Sequence, residues 1–224
     1  TYITSARVIQ IHLDDLVESA SVILTGMQGN TSTTANYIAS SVIDPTNNYV
    51  YFGTNEIPGR VFRIKLSSFK TADTLDLSDY FHGGSIEISV GSSVIDTLSG
   101  YAYFGTLTSP GTVIKVRLSD LSKIGVINLT TDETNLGGAV IDNTNHLAYF
   151  LAYTATGNAA KLVKINIDPD NFARVAALDL GAFVEAPFNL NPVVIDPNNY
   201  YAYIALNEAA GSARLLKVDV DPSN

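Results

Sequence analysis

Apolar and polar positions alternate along five short segments of the chain. Each segment begins with a basic or polar residue and keeps a period of two, as in Arg60–Leu66 (RVFRIKL). The other four are Arg7–Leu13, Thr112–Leu118, Lys161–Ile167 and Arg214–Val220, so the pattern returns every 49 to 53 residues. A period of two places alternate side chains on opposite faces of a β-strand. The chain is therefore predicted to be built from a β repeat.

A second motif returns with nearly the same spacing. The tripeptide Val-Ile-Asp ends at Asp44, Asp96, Asp142 and Asp196, and each copy precedes a four-residue segment rich in Pro, Asn, Thr or Gly. Such segments form tight turns, and an Asp in front of them can accept backbone N–H groups. The four aspartates are therefore predicted to be structural turn residues. A ring of carboxylates that binds a cation is the weaker interpretation, because each Asp precedes a turn.

Each repeat reads as four strands, which we call a to d. Strand a ends in Val-Ile-Asp, strand b is an aromatic run such as Tyr49–Gly53, and strand c is the alternating segment. Strand d is predicted at Ser21–Leu24, Thr74–Leu77, Gly125–Leu129 and Ala176–Leu180, after a turn whose apolar residue (Leu16, Phe69, Leu121 or Phe172) is expected to tuck under the sheet. No segment has a helical period. Four short antiparallel strands per repeat predict an all-β fold, a β-propeller of four-stranded antiparallel blades.

The two motif series also predict how the blades divide the chain. Parts of five consecutive blades are expected, with seventeen strands: a partial blade at 1–30, blades at 38–90, 91–137 and 138–190, and a partial blade at 191–224. We expect a single propeller and an excerpt of a longer chain. A small closed propeller with one redundant strand is the alternative.

Composition narrows the function classes. The chain has 13 Lys and Arg and a net charge of −9, which argues against nucleic acid because phosphate binding needs clustered basic side chains. No apolar stretch approaches the roughly 20 residues of a membrane-spanning helix, so no membrane insertion is expected. Only 16% of residues are charged, against about 25% in ordinary globular proteins, which suits a secreted or cell-surface protein. There is no Cys, so disulfides, thiolate metal sites and Cys nucleophiles are excluded.

The segments 42–54 (VIDPTNNYVYFGT) and 58–66 (PGRVFRIKL) resemble the propeller repeats of secreted and surface proteins, in the style of YVTN-type surface-layer propellers and of NHL and WD40 blades. The sequence lacks the Gly-His and Trp-Asp dipeptides of WD40 blades and has no Trp, which excludes that subfamily. The resemblance covers essentially the whole chain and implies a binding or structural scaffold. Its motif residues are structural.

No set of residues predicts catalysis. His12 lies on a strand c at a position that is polar in every repeat, and His146 occupies a turn. His82, beside two glycines in a d-to-a loop, is the one histidine for which a role is conceivable. The segments Asp168–Asn171 and Asp219–Asp221 lack the Gly and Glu of a complete calcium loop, so they are interpreted as turns. No catalytic residue, metal site or cofactor is predicted.

Two kinds of surface site remain. Asn30 and Asn128 stand in Asn-x-Ser/Thr sequons and are possible glycosylation sites, with Asn128 expected to be less accessible because it falls in a strand. The b-to-c and d-to-a loops differ most among repeats and share one face of a propeller, so that face is the expected interaction surface. Its candidate contact residues are Glu56, His82, Asn158, Asn207 and Glu208.

These observations favour a non-enzymatic extracellular repeat protein, a structural component of a surface layer, filament or matrix. Its expected partners are proteins or glycans, including further copies of itself. The alternative is a ligand-binding propeller module of an adhesin or receptor, which would have one dominant ligand face. A third possibility is an enzyme whose active site lies on blades that this sequence does not contain.

Overall fold

The computed structural model describes residues 5–28, 31–77, 89–153, 159–181, 192–207 and 213–223. Every regular element of these residues is a β-strand. The nineteen strands are β1 Arg7–Ile11, β2 Glu18–Ile23, β3 Thr25–Gln28, β4 Thr31–Thr34, β5 Ile38–Asp44, β6 Tyr49–Thr54, β7 Arg60–Lys65, β8 Lys70–Asp76, β9 Val90–Asp96, β10 Tyr101–Thr106, β11 Thr112–Arg117, β12 Ser122–Asn128, β13 Thr134–Asp142, β14 Leu147–Tyr153, β15 Ala160–Asp168, β16 Asn171–Asp179, β17 Val193–Asp196, β18 Tyr201–Asn207 and β19 Ala213–Asp219.

The strands form a series of antiparallel sheets that are the blades of a β-propeller. Blade 1 contains β1 and β2; blades 2, 3 and 4 contain β5–β8, β9–β12 and β13–β16; blade 5 contains β17–β19. Within each blade the strands pair in chain order, and the a strands β5, β9, β13 and β17 lie next to one another from blade to blade. The predicted all-β propeller of four-stranded antiparallel blades is confirmed.

The turns between strands are alike from blade to blade. The last residue of each a-to-b turn, at positions 48, 100, 146 and 200, has a positive φ, between 53° and 80°. Leu16, Phe69 and Leu121 adopt the same left-handed conformation in the c-to-d turns. Because the strands of a blade run antiparallel in chain order, the a-to-b and c-to-d turns lie on one face of the propeller, which we call the turn face. The b-to-c and d-to-a loops lie on the opposite face.

The core lies between blades rather than within them. Alternate residues of one blade pack on the next, so Tyr51 and Val61 of blade 2 share a cluster with Phe104 and Ile114 of blade 3, all four fully buried. Equivalent clusters join blades 1 and 2, 3 and 4, and 4 and 5. Because both faces of strands b and c are covered, these strands are apolar at most positions.

Three details differ from the sequence prediction. The segment predicted as a long loop after blade 1 contains the hairpin β3–β4. The d strands begin three to five residues earlier than predicted, because their first residues lie on the outer edge of a blade, where polar side chains reach solvent. Phe172 consequently lies within β16 and not in a turn, and Leu16 does not tuck under its blade but is 75% exposed.

Candidate functional site

The four repeated aspartates all accept hydrogen bonds from the turn that follows them. Asp142 is the fullest case: one carboxylate oxygen accepts from the backbone N–H groups of Thr144 and Asn145 at 3.0 and 3.1 Å, and the other from the Asn145 amide at 2.7 Å. Asp44 and Asp196 bind the backbone N–H and side-chain amide of an Asn three residues later. Asp96, which has Ser99 where the other turns have Asn, accepts hydrogen bonds from the backbone N–H groups of Leu98 and Ser99. All four carboxylates are therefore engaged by their own turns, although the second oxygen of Asp96 is buried without a partner.

The predicted interaction loops are only partly covered by the described residues. His82, Asn158, Glu208 and the sequon Asn30 lie outside them, and Asn207 is described only as the last residue of β18. Glu56 is described, and it is not free for a partner. Its carboxylate accepts a hydrogen bond from Arg60 at 2.5 Å and another from the backbone N–H of Asn36, and the side chain is only 11% exposed.

Asn128 is more accessible than its position in a strand suggests. It is the last residue of β12, the outer strand of its blade, and it is exposed. Its side-chain oxygen accepts a hydrogen bond from the Thr112 hydroxyl at 3.3 Å. Accessibility alone therefore does not exclude modification at this residue.

The loop face also holds a buried ion pair. Glu133, which is fully buried in the d-to-a loop between blades 3 and 4, accepts hydrogen bonds from Nε of Arg174 at 2.9 Å and from a terminal nitrogen of the same guanidinium. Burial alone raises the pKa of Glu133, but the bonds from Arg174 and Thr130 outweigh it and leave the pKa below its usual value. Glu133 is therefore ionised at neutral pH and ties this loop to β16.

In blades 2, 3 and 4 a basic side chain links the blade to the one that follows it on the turn face. The fourth residue of strand c is Arg63, Lys115 or Lys164, and each crosses to the c-to-d turn of the following blade. Arg63 donates to the carbonyls of Leu118 and Ser119 at 2.8 and 3.2 Å, Lys115 to that of Pro169 at 3.3 Å, and Lys164 to that of Pro222 at 3.2 Å.

Neighbouring aromatic rings and a bulge position these cations. Arg63 lies 4.9 Å from the ring centroid of Tyr49, and Lys115 lies 4.2 Å from that of Tyr101. A β-bulge follows the basic residue in each of blades 2, 3 and 4, where the c–d register shifts. A bulge bends the strand and re-aims a side chain, which suits a residue that must leave its own blade.

A buried tyrosine reaches the same turns. Tyr103 donates its hydroxyl to the Ile167 carbonyl at 3.0 Å, and Tyr149 donates to that of Val220 at 3.0 Å. Burial raises the pKa of both phenols, to about 12 for Tyr149, so both remain donors at neutral pH. These bonds join blade 3 to blade 4 and blade 4 to blade 5.

The joint between blades 2 and 3 lacks the tyrosine hydrogen bond that the next two joints contain. The carbonyl that corresponds to Ile167 and Val220 is that of Leu118, and here Arg63 occupies it. The hydroxyl of Tyr51 is fully buried and makes no hydrogen bond of good geometry, although the Arg63 guanidinium lies beside it and partly offsets the rise in its pKa that burial causes. Nε of Arg63 also lacks a partner. Buried donors without partners are uncommon in native proteins, and each calls for an explanation.

This joint opens on the turn face as a polar groove of about 450 Å³. Two a-to-b turns and one c-to-d turn form its rim, and its walls include Tyr49, Tyr51, Arg63, Tyr101, Arg117 and Ser119. The Arg63 side chain is 11% exposed there, and that of Arg117 is 46% exposed, in an ion pair of 3.0 Å with Asp120. We call this cavity the turn-face groove. It presents two guanidinium groups to a ligand.

The sequence contained part of the signal for this site. A basic residue recurs at the fourth position of strand c in four of the five repeats, which is more regular than an exposed position requires. The tyrosines of strand b were interpreted as packing residues, and the structure adds their hydroxyl bonds to the next blade. The competition between Arg63 and Tyr51 for one carbonyl could not be read from the sequence.

Among the described residues, no group of three His, Cys, Asp or Glu side chains is arranged to hold a metal ion. His12 lies in blade 1, directly after β1, whereas His146 lies in the a-to-b turn of blade 4 with a φ of 53°. No helix long and apolar enough to cross a membrane occurs in this part of the chain.

Comparison with known proteins identifies the fold. No family model and no curated protein sequence matches the chain. Among solved structures it is similar to the WD40 repeats of RRP9, with a TM-score of 0.59 and 10% identity over 81% of this chain. It is also similar to U3-55K, with a TM-score of 0.58 and 11% identity over 81% of this chain. The chain spans about half the length of both neighbours, 50% and 49%.

These neighbours show a WD40-like propeller, so the fold does not depend on the Gly-His and Trp-Asp dipeptides that this sequence lacks. They also overturn one expectation. The extracellular or cell-surface location predicted from the low charge is wrong, because it is contradicted by the likeness to RRP9 and U3-55K. The structural role in a surface layer loses its support with that location, and the glycosylation expected at Asn30 and Asn128 stays a prediction.

Proposed function

We propose that this chain is a non-enzymatic, protein-binding propeller whose turn-face groove takes an acidic segment of a partner. A rigid scaffold with polar groups on one face is how propellers and similar folds commonly bind proteins. The observation that carries the proposal is the competition at the joint between blades 2 and 3. There Arg63 holds a carbonyl that Tyr51, by analogy with Tyr103 and Tyr149, is placed to bind.

The exchange between these two donors lowers the cost of releasing Arg63, which must also give up the Ser119 carbonyl and its ion pair with Asp73. When a partner's carboxylate draws the guanidinium into the groove, the Leu118 carbonyl passes to the Tyr51 hydroxyl and stays hydrogen-bonded. The buried hydroxyl gains the partner that it lacks in the free protein. Unmade buried hydrogen bonds cost about 1–3 kcal/mol each, so this rearrangement offsets part of what Arg63 gives up.

The groove also has the right chemistry for a carboxylate. A guanidinium can bind a carboxylate through two parallel N–H bonds, and Arg63 and Arg117 both line the cavity. The ion pair of Arg117 with Asp120 lies on the surface, where such pairs contribute little, so Arg117 can exchange partners readily. Asp44 lies at the rim, but the Asn47 amide and backbone N–H occupy its oxygens.

A random peptide library displayed on phage tests the proposal without a known partner. We expect peptides selected on the natural chain to be rich in Asp and Glu and to bind more weakly as salt is raised. Arg63→Met should weaken them at least tenfold, since a lost charged hydrogen-bond pair costs about 1.5–3 kcal/mol. Arg7→Met is the matched control, because Arg7 forms an exposed ion pair with Glu18 on blade 1. Peptides that bind Arg63→Met as tightly as the natural chain would rule out the groove.

A further inference from the structure

Arg63 is paired with a carboxylate of its own blade. Its Nη2 nitrogen donates to Oδ2 of Asp73 on β8 at 3.0 Å, and the Arg63 side chain is 11% exposed whereas that of Asp73 is 47% exposed. The other oxygen of Asp73 accepts a hydrogen bond from the backbone N–H of Thr74 at 3.0 Å. The carboxylate is therefore fixed beside the guanidinium while one side of it faces solvent.

The strand register shows that this counter-ion is specific to blade 2. The fourth residue of strand c pairs with a residue of strand d, and in blade 2 that pair is Arg63 and Asp73. The strand d residue is small and uncharged in the other three blades: Ala20 opposite Gln10, Gly125 opposite Lys115, and Ala176 opposite Lys164. Arg63 and Asp73 thus occur together, in the blade whose joint with blade 3 forms the turn-face groove.

Asp73 holds the nitrogen that a carboxylate ligand needs. A guanidinium binds a carboxylate with two parallel bonds through either Nη1 and Nη2 or Nε and Nη2, so Nη2 belongs to both arrangements. Nη1 of Arg63 already donates to the carbonyls of Leu118 and Ser119. A partner's carboxylate must therefore displace Asp73 from Nη2 or lie beside it, where two negative charges repel each other.

The second guanidinium of the groove is restrained less. Arg117 pairs with Asp120, and the two side chains are 46% and 50% exposed. Water screens such a pair, whereas Arg63 lies mostly out of water and interacts with its counter-ion more strongly. Asp73 is therefore the internal carboxylate with the larger effect on binding in the groove.

We propose that Asp73 is an internal competitor for Arg63 and lowers the affinity of the turn-face groove for acidic segments. This inference rests on the proposed function of that groove. In the free protein Asp73 neutralises Arg63 and holds it against its own blade. A partner's carboxylate binds by replacing Asp73, whose own carboxylate then turns to the solvent that already reaches it.

Fluorescence anisotropy with a fluorescein-labelled hexaglutamate peptide tests this role. Asp73→Asn removes the charge but keeps the side-chain shape and the oxygen that accepts the Thr74 N–H. The peptide should bind this variant about three- to fivefold more tightly than the natural chain, which is the effect of losing a partly exposed ion pair. Glu18→Gln is the matched control, because it removes one negative charge from the exposed ion pair with Arg7 on blade 1. It should bind like the natural chain.

Arg63→Met, alone and combined with Asp73→Asn, completes a double-mutant cycle. Because Asp73 competes only for Arg63, Asp73→Asn should not tighten binding once Arg63 is replaced. Asp73 is half exposed, so circular dichroism should show that all variants fold like the natural chain.

The outcomes separate this inference from the proposed function. If Arg63→Met weakens binding but Asp73→Asn leaves it unchanged or weakens it, Asp73 is not a competitor, and the groove still binds acidic segments. An equal gain from Asp73→Asn with and without Arg63 also overturns the inference, since it would be a general effect of charge. If Arg63→Met binds the peptide as tightly as the natural chain, or if neither the natural chain nor Asp73→Asn binds it, both proposals are wrong.

Discussion

Replacing Tyr103 by Phe removes one buried hydroxyl and leaves the packing of the ring unchanged. In the structure this hydroxyl donates to the Ile167 carbonyl of the next blade at 3.0 Å. Replacing Tyr51 by Phe removes the equivalent hydroxyl of blade 2, which is buried without a partner. The two substitutions make the same chemical change at the same repeat position, so they form a matched pair.

The structure predicts opposite consequences for the free energy of unfolding. Tyr103→Phe loses a hydrogen bond with a net contribution of about 1 kcal/mol, and more where the carbonyl left behind cannot reach water, so we expect a loss of about 1–2 kcal/mol. Tyr51→Phe removes a polar group that has no partner in the folded state, and its effect should range from neutral to about 1 kcal/mol of stabilisation.

Urea unfolding followed by circular dichroism measures both effects. The slope of the unfolding free energy against urea should be the same for the natural chain and both variants, so that midpoint shifts report stability. In thermal scans about 1 kcal/mol corresponds to roughly 2–4 °C for a chain of this size. If Tyr51→Phe were as destabilising as Tyr103→Phe, Tyr51 would already hold a hydrogen bond, and the exchange proposed for Arg63 would be wrong.

Three further predictions follow from other contacts. Gly105→Ala should destabilise the chain by about 1–3 kcal/mol in urea unfolding, because an added Cβ would lie 2.5 Å from Ser92 Oγ and 2.9 Å from Phe150. Arg174→Met should cost about 3–5 kcal/mol at neutral pH by leaving Glu133 charged and buried, and should cost less in acid, where Glu133 takes up a proton. Between pH 10 and about 12 stability should fall as pH rises, because folded Tyr149 holds its proton above the pH at which the unfolded chain releases it; Tyr149→Phe should reduce that fall in a pH series.

Much of the fold could be predicted because one residue pattern serves every blade. The alternation in strand c and the Val-Ile-Asp turns are local signals, and the structure places β7, β11 and β15 within one residue of the predicted bounds. The d strands were less predictable. They lie at the outer edge of a blade, where burial no longer imposes alternation, so segments such as Lys70–Asp76 mix polar and apolar residues. Leu16 differs from its counterparts Phe69 and Leu121, which pack in the clusters between blades and are 9% and 4% exposed.

The candidate site was harder to predict because it depends on contacts between repeats. Arg63 donates to the carbonyl of Leu118, 55 residues away in sequence. An alignment of the repeats does not show whether Arg63 or Tyr51 binds that carbonyl. Arg and Lys occupy the same repeat position but behave differently. The guanidinium of Arg63 spans two carbonyls and Asp73 at once, whereas the ammonium of Lys115 donates to one carbonyl and leaves the tyrosine bond intact. Geometry of this kind distinguishes the groove from the other joints.

The residue at the fourth position of strand c therefore determines which side-chain hydrogen bonds hold each blade to the next. Blade 1 has Gln10 there, and its side-chain oxygen accepts from Ser19 of its own blade at 3.2 Å instead of reaching blade 2. Blades 1 and 2 are held by the apolar cluster around Phe62 and Ile64, and among the described residues no basic side chain crosses from strand c of blade 1 to the turns of blade 2. In an array whose stability is a sum of repeat and neighbour terms, a missing neighbour term weakens one joint without altering the others. Blade 1 is consequently the unit held least firmly to the blade that follows it.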